Sequence, residues 1–207
     1  MITIELTTKD PLYQVRQQAC LTLGKKPSNK VFSKEEEYHY WIDSMIANES
    51  ILRAVHFKII DDHCRNDIMS QLLRATKGHP QPECQSHRPD WINEPRKPSD
   101  QTYGMFYHEH TAESFMDMCE QRLCFHTMKD TRDKVVEVIN EMNKKEEPFF
   151  RALAFCCVPE CVRRCGCTHG KRGCGWFSTF IDNELTNDKN ALEYMIDIKT
   201  RYSEYHS

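Results

Sequence analysis

Hydrophobic and polar residues alternate in three short stretches of the chain, with the period of two that is typical of half-buried β-strands. The apolar positions are Ile2, Ile4 and Leu6, then Val55, Phe57 and Ile59, and then Tyr103, Met105 and Tyr107. We expect one strand from each stretch. Just beyond the last, His108 and His110 would point to one face of an extended strand and Glu109 to the other. This arrangement indicates a metal-binding or acid–base role for the two histidines. The alternative is that they have no functional role.

Elsewhere apolar residues recur every three or four positions, which predicts amphipathic helices. A helix is expected over about 34–47, where Ser33 and Glu36 form a capping-box signature. Asn66 is expected to cap a helix over about 67–75, and Thr111 one that reaches Leu123. Further segments follow with no internal repeat: a helical pattern before Pro148, a short apolar segment over 149–157, and a final helix from Asp188. The proline-rich stretch 77–100 is predicted to be an irregular loop, of the length that is often functional.

Size, charge and cysteine content narrow the class of protein. The 207 residues are enough for one domain, or one domain with an appendage. A net charge of −3 does not favour nucleic acid or an anionic membrane as the main partner. Apolar runs of transmembrane length and a signal peptide are both missing from the pattern, so we expect a cytoplasmic protein. The eleven cysteines are then expected to be reduced.

Arginines stand in three short frames beside strongly apolar stretches. The frames are Gln71-Leu72-Leu73-Arg74, Gln85-Ser86-His87-Arg88, and Arg122-Leu123-Cys124 followed by Arg132. An arginine is costly to bury without an anionic partner, and its guanidinium group matches phosphate geometry. The frames therefore indicate a site for phosphorylated ligands. The simpler alternatives are a helix-dipole interaction for Arg74, a solvated Arg88, and surface ion pairs of Arg122 and Arg132 with Asp117, Glu120 or Asp133. Arg122 and Arg132 would share one face if the helix that carries them is continuous.

In order and spacing, these frames resemble the flavin-dependent thymidylate synthases. That family has a His-Glu-Ser/Thr turn before a strand, a helix ending in Gln-Leu-Val-Arg-His-Arg, a loop ending in Ser-x-Arg-Tyr, and Arg-Leu-Cys followed by Ala-Gln-Trp-Glu-Ile-Arg. The matching segments here are Asn48-Glu49-Ser50, Gln71–Arg74, Ser86-His87-Arg88 and Arg122–Arg132. The resemblance covers residues 15–145, and the tail from Pro159 to Gly175 is similar to that of phage-type members.

The resemblance implies an α+β fold, with a small, mostly antiparallel sheet flanked by helices. It implies a thymidylate synthase-like domain over 1–150, with 151–207 adding a cysteine-rich segment and a C-terminal helix that pack on the same domain. The implied activity is that of a methyltransferase, which moves a one-carbon unit from methylenetetrahydrofolate to a pyrimidine deoxynucleotide, from dUMP to dTMP or in a related modification. FAD and NADPH are the implied cofactors, and a homotetramer in the cytoplasm, the host's if phage-encoded, is the implied assembly.

The resemblance also assigns roles to individual residues, through positioning rather than through a nucleophile. The substrate-binding residues would be Gln71, Glu83, Ser86, His87, Arg88 and Arg132, with Arg132 the most important for activity. The cofactor-binding residues would be Ser50, Arg74, Arg122 and His126. Because Ala75-Thr76 replaces the His-Arg of the family motif, the alternative is a nucleotide-binding protein of the same fold without flavin chemistry.

Cysteines are concentrated between residues 156 and 174, with His169 among them. Cys161, Cys165, Cys167 and Cys174 are candidate ligands of a tetrahedral zinc ion. Their spacing is not that of paired CxxC knuckles, so small buried thiols packed against the core are the alternative, and an iron–sulfur cluster is another. A zinc-stabilised module for nucleic-acid or protein interaction is therefore a further functional hypothesis.

Overall fold

The computed structural model describes residues 1–26, 30–75, 103–164 and 166–177, together with the backbone of 83–84. Its sheet is antiparallel, with strands in the order β1 (Ile2–Leu6), β2 (His56–Arg65), β4 (Tyr103–Thr111) and β3 (Glu83–Cys84). The protein therefore has the expected α+β class with a small antiparallel sheet. The more specific thymidylate synthase-like fold remains an expectation from the resemblance.

Among the described residues, three α-helices lie between the strands in the chain order, and four more follow the last strand. They are α1 (Pro11–Thr22), α2 (Lys34–Ile46), α3 (Asn66–Arg74), α4 (Ala112–Arg122), α5 (Lys129–Asn143), α6 (Pro148–Cys156) and α7 (Glu160–Arg163), with 3₁₀ helices at Ser50–Ala54 and Gly170–Arg172. In the described part of the chain, no helix is long and apolar enough to cross a membrane.

The core lies between one face of the sheet and the helices. Phe57 of β2 is at its centre, and its ring meets Phe115 of α4 at 5.5 Å and Phe150 of α6 at 5.7 Å between centroids. Phe149, on α6 as well, packs edge-on against Trp41 of α2 at 5.1 Å. Such edge-to-face pairs add to the stabilisation that burial of the large rings already gives. The alternation of buried and half-buried residues along β2 follows directly from its apolar pattern.

The capping predictions are confirmed at two helices and wrong at one. Ser33 and Glu36 form the capping box of α2, and Thr111 caps α4 with its side chain. Asn66, however, is the first residue of α3 rather than its cap, because strand β2 runs directly into the helix and Arg65 takes the N-cap position. Arg65 is held there by ion pairs with Asp67 and Asp130.

Two helices were not evident from the apolar pattern. The 149–157 segment is part of helix α6, which is buried on nearly every side and therefore shows no polar stripe. Helix α1 has the opposite character, since Val15 is its one buried residue. Its start is marked by Asp10, whose side chain accepts a hydrogen bond from the Tyr13 amide, and by Pro11 in the first turn.

A second, smaller core follows the main one at the C-terminal end of the described chain. Val158, Val162 and Trp176 are buried together, and Phe125 packs against them. The ring of Phe125 stacks on that of Trp176 at 5.0 Å. The tail after α6 is thus attached to the loop between α4 and α5. The predicted helix from Asp188 and most of the irregular stretch 77–100 lie outside the described residues.

Candidate functional site

Two of the predicted arginines end consecutive helices of the described chain, and their charges interact. Arg74 is the last residue of α3 and Arg122 the last residue of α4. Both positions suit a cation, because the C-terminal end of a helix carries partial negative charge. The helix-dipole interpretation of Arg74 therefore agrees with its place, but it does not account for two guanidinium groups in proximity.

The guanidinium group of Arg122 is poorly satisfied. Its side chain is half-buried, and its Nε atom is buried without a hydrogen-bond partner among the described residues. Burial, and then the neighbouring charge of Arg74, lower the pKa of Arg122 below its ordinary value. Neither arginine forms an ion pair with a carboxylate in the described part of the chain. A pair of cations in this state has the character of an anion-binding site.

Arg132 belongs to a different helix from Arg122. The two arginines would share a helix face if one helix ran through both, but α4 ends at Arg122 and α5 begins at Lys129. The intervening loop carries Phe125, and the Arg132 guanidinium carbon lies 4.5 Å from the centre of its ring. This cation–π contact holds the half-buried arginine without neutralising its charge.

The carboxylates proposed as surface partners of these arginines have other partners. Asp117 and Glu120 both pair with Arg163 of α7, and Asp133 pairs with Lys129 one turn earlier in α5. Within the described residues, the ion-pair alternative for Arg122 and Arg132 therefore finds no support.

The remaining residues assigned by the resemblance are dispersed or lie outside the described chain. Gln71 is half-buried on α3. Ser50 is exposed at the start of its 3₁₀ helix, after Asn48 in a left-handed conformation with φ 52°. His126 is exposed, and its ring lies 4.6 Å from that of His169. Ser86, His87 and Arg88 lie outside the described residues, and the backbone alone of Glu83 is described.

Cysteines from separate parts of the chain lie together beside the loop between α4 and α5. Cys124, Cys161, Cys167 and Cys174 line one small cavity together with His169. Burial, and then the nearby thiols of Cys124, Cys167 and Cys174, raise the pKa of Cys161 to about 12. Of the predicted ligands, Cys161, Cys167 and Cys174 are thus brought together, whereas Cys165 lies outside the described residues. In the described ranges, no group of three or more His, Cys, Asp or Glu side chains is placed so that it could hold a metal ion as it stands.

Sequence reasoning places His169 in the cysteine-rich segment but does not find Cys124 as a member of this cluster. In the sequence, Cys124 belongs to an arginine frame. Cys161, the first tail cysteine of the cluster, lies 37 positions further along the chain. The signal that could have identified Cys124 is its position in a loop between two helices, where a thiol is not needed for core packing.

The prediction that His108 and His110 share one face of a strand is confirmed, and that face is the core. The two rings are hydrogen-bonded, with 2.6 Å between His108 Nδ1 and His110 Nε2. His110 Nδ1 lies 3.2 Å from Ser114 Oγ. The Ser114 hydroxyl donates to the Thr111 carbonyl, so His110 Nδ1 must be the donor to Ser114, and His108 Nδ1 the donor to His110. The pair is thus a satisfied core network rather than an open metal site.

Comparison with known proteins adds no relative: no protein-family model, no curated protein and no solved structure matches this chain. The functional argument therefore depends on the residues of this chain and on the geometry of Arg74, Arg122 and Arg132.

Proposed function

We propose that the protein binds phosphorylated ligands at Arg74 and Arg122, and that it is a flavin-dependent enzyme which transfers a one-carbon unit to a pyrimidine deoxynucleotide. The observation that carries the proposal is the adjacent pair of guanidinium groups, one of which has a buried Nε without a partner in the described residues. The order of the arginine frames supports the choice of flavin and nucleotide.

A phosphate group would resolve the unfavourable state of this pair. Two like charges in proximity repel, and a buried donor without a partner costs about 1–3 kcal/mol. An oxygen of a phosphate accepts from Nε, and its charge offsets both cations through charge-assisted hydrogen bonds. The two arginines therefore fit a role in binding a phosphorylated ligand better than a purely structural role.

On the resemblance, the pair faces the phosphates of FAD, and Ser50 and His126 complete this side. Arg132, held over Phe125, faces the phosphate of the nucleotide together with Ser86 and Arg88, and Gln71 contacts the nucleotide from α3. Reduced FAD would supply the reducing equivalents, which come from NADPH, and methylenetetrahydrofolate the carbon. The contribution of this chain is to hold the two ligands at reacting distance and to exclude water.

A second candidate is a nucleotide-binding protein of the same fold without flavin chemistry. Ala75 is 7% exposed and belongs to the main core. The family motif has histidine at this position, and here the side chain is a methyl group that packs inward. The ligand-facing surface after Arg74 is thereby reduced, which favours loss of flavin contacts with retention of the phosphate site.

The absorption spectrum of the purified full-length protein, before and after addition of FAD, tests the proposal. We expect flavin absorbance, or FAD uptake by the wild type, that is lost in Arg122→Ala and Arg74→Ala. Arg151→Ala is the matched control, because Arg151 is exposed on α6 and lies over the ring of Tyr38. Absence of FAD binding, with dUMP still raising the melting temperature, would select the second candidate. Absence of both responses would overturn the phosphate site itself.

The reaction and the assembly need separate measurements. We expect dUMP-dependent NADPH oxidation by the FAD-loaded protein, with loss of activity in Arg132→Ala. The family active site forms between subunits, so we propose a homotetramer in the cytoplasm, and light scattering after size exclusion gives its mass. A monomer that still turns over would contradict the shared site.

A further inference from the structure

Four cysteines line the cavity beside the loop between α4 and α5, together with Phe125, Glu160, Thr168, His169, Trp176 and Phe177. Cys124 comes from that loop, Cys161 from α7, and Cys167 and Cys174 from the turns on either side of the 3₁₀ helix Gly170–Arg172. The enclosed space is about 10 Å³, which is close to the room that one water molecule needs. It therefore suits a single ion and is too small for an organic ligand or an iron–sulfur cluster.

His169 contacts the cluster from the same side. Its Nε2 atom lies 3.6 Å from Cys124 Sγ, across a separation of 45 residues. A neutral imidazole can donate a hydrogen bond to a thiolate at this distance, which orients the sulfur and stabilises its charge. Lys171 and Arg172, exposed in the adjacent 3₁₀ helix, add positive charge next to the thiols.

We infer that Cys124, Cys161, Cys167 and Cys174 bind one zinc ion, with His169 as a positioning residue that hydrogen-bonds to Cys124. Soft thiolates select zinc among the divalent ions that do not require redox chemistry, and four of them complete a tetrahedral site. The thiols line the cavity without yet forming a tetrahedron, so binding draws them inward. This assignment replaces Cys165 of the sequence-based set with Cys124.

The surrounding structure indicates what such an ion would do. The tail is held by a core of three buried residues, Val158, Val162 and Trp176, and so small a core supplies little stability by itself. A zinc ion shared between the tail and the loop at Cys124 would fix both, as structural zinc does in other small units. The loop it fixes separates Arg122 from Arg132, but the inference does not depend on the proposed function.

Metal analysis of the full-length protein tests the inference. Wild type is stripped with a chelator, titrated with Zn²⁺ alone, and measured by elemental analysis after dialysis; Co²⁺ replaces Zn²⁺ as the spectroscopic probe of thiolate ligation. We expect one zinc per chain, and its loss in Cys124→Ser and Cys161→Ser. His169→Ala should retain one zinc with an affinity lowered about 10–100-fold. Cys20→Ser, half-buried on α1, is the control that should bind as the wild type does.

Several outcomes would overturn the inference. Less than stoichiometric zinc in the wild type, or a Co²⁺ spectrum without thiolate charge transfer, excludes the site. Loss of zinc in Cys165→Ser with retention in Cys124→Ser returns the ligand set to the tail alone. Because the main core does not include Cys124 or Cys161, far-ultraviolet circular dichroism of each variant should remain close to wild type. A variant that has lost its zinc but keeps this spectrum supports the inference, whereas global unfolding of every cysteine variant contradicts a local role.

Discussion

Arg122 lies near Arg74, and no carboxylate of the described residues pairs with either guanidinium group. Two neighbouring cations without a counter-charge lower the stability of the folded protein, and they favour the binding of an anion. We therefore expect Arg122→Leu to raise the free energy of unfolding of the ligand-free protein by about 1 kcal/mol, since it removes a buried donor without a partner and one of two like charges. The gain is modest because the side chain is half-exposed and solvent screens the repulsion. Urea denaturation of both proteins measures the difference.

The same substitution should abolish stabilisation by phosphorylated ligands, so stability and binding change in opposite directions. Arg163→Leu provides the contrast, because Arg163 has carboxylate partners in Asp117 and Glu120. Its loss should lower stability and leave ligand binding unchanged. A fall in stability for Arg122→Leu equal to that of Arg163→Leu would show that Arg122 has a structural partner.

A pH dependence follows from the buried histidine network. Burial lowers the pKa of His108 to about 3, although Asp61 acts in the opposite direction. In the unfolded chain the group titrates near pH 6.5. Between these values the unfolded state binds the extra proton, so stability must fall as the pH drops below about 6.5, by up to about 1.4 kcal/mol per pH unit from this group.

His108→Gln isolates this contribution. The amide can still donate to His110 Nε2, as His108 Nδ1 does, but it does not titrate. We expect the difference in unfolding free energy between wild type and variant to change with pH from 7 to 5. Parallel profiles for wild type and His108→Gln would show that His108 has the same pKa in the native and unfolded states, so that burial does not lower it.

Local structure could be predicted from the sequence where one residue or a regular period decides it. Ser33 and Thr111 cap helices through their own side chains, and the alternation around Phe57 gives the strand. Ligand geometry depends on distant residues instead: nothing in Arg122-Leu123-Cys124 indicates that the thiol faces His169. Helix α1 buries Val15 alone among its residues, so its pattern had no clear period. The order of the frames predicts that the arginines lie near each other, but it does not indicate the loop that separates α4 from α5.

A buried ion pair joins the sheet to α5. Lys134 Nζ lies 3.0 Å from Asp61 Oδ2, with the two side chains 16% and 5% exposed. Burial works against the charge of Lys134, yet its bonds to Glu137 and Asp61 raise its pKa above the ordinary value. Lys134→Met should therefore cost about 3 kcal/mol, because it leaves the Asp61 carboxylate buried without its counter-charge.

The double variant Lys134→Met with Asp61→Leu should recover most of that loss, since apolar replacement of a complete buried pair is often neutral. Chemical denaturation of the four proteins of the cycle gives the coupling energy. Equal losses for the single and double variants would mean that Asp61 is satisfied by another group when Lys134 is absent.

Gly173 makes room for the sulfur of Cys167. A Cβ atom at this position would lie 3.0 Å from Cys167 Sγ and 3.1 Å from the Gly170 carbonyl oxygen. The carbonyl belongs to a turn closed by the Gly173 amide and has little freedom to move, so Gly173→Ala should displace Cys167 from the cavity. If the cavity binds zinc, affinity should fall about 10-fold or more, as for other changes next to a metal ligand. Competition with a chelator of known affinity measures the change.

Gly166→Ala is the matched control for Gly173→Ala. It lies in the same tail, and a Cβ there meets no atom of the described chain within 4 Å. Limited proteolysis of the metal-free proteins separates packing from ligation: the tail of Gly173→Ala should be cut faster than that of wild type or Gly166→Ala even without zinc. If both alanine variants lose zinc affinity equally, the loss does not come from a contact specific to position 173. The close approach of Gly173 to Cys167 would then have no part in the site.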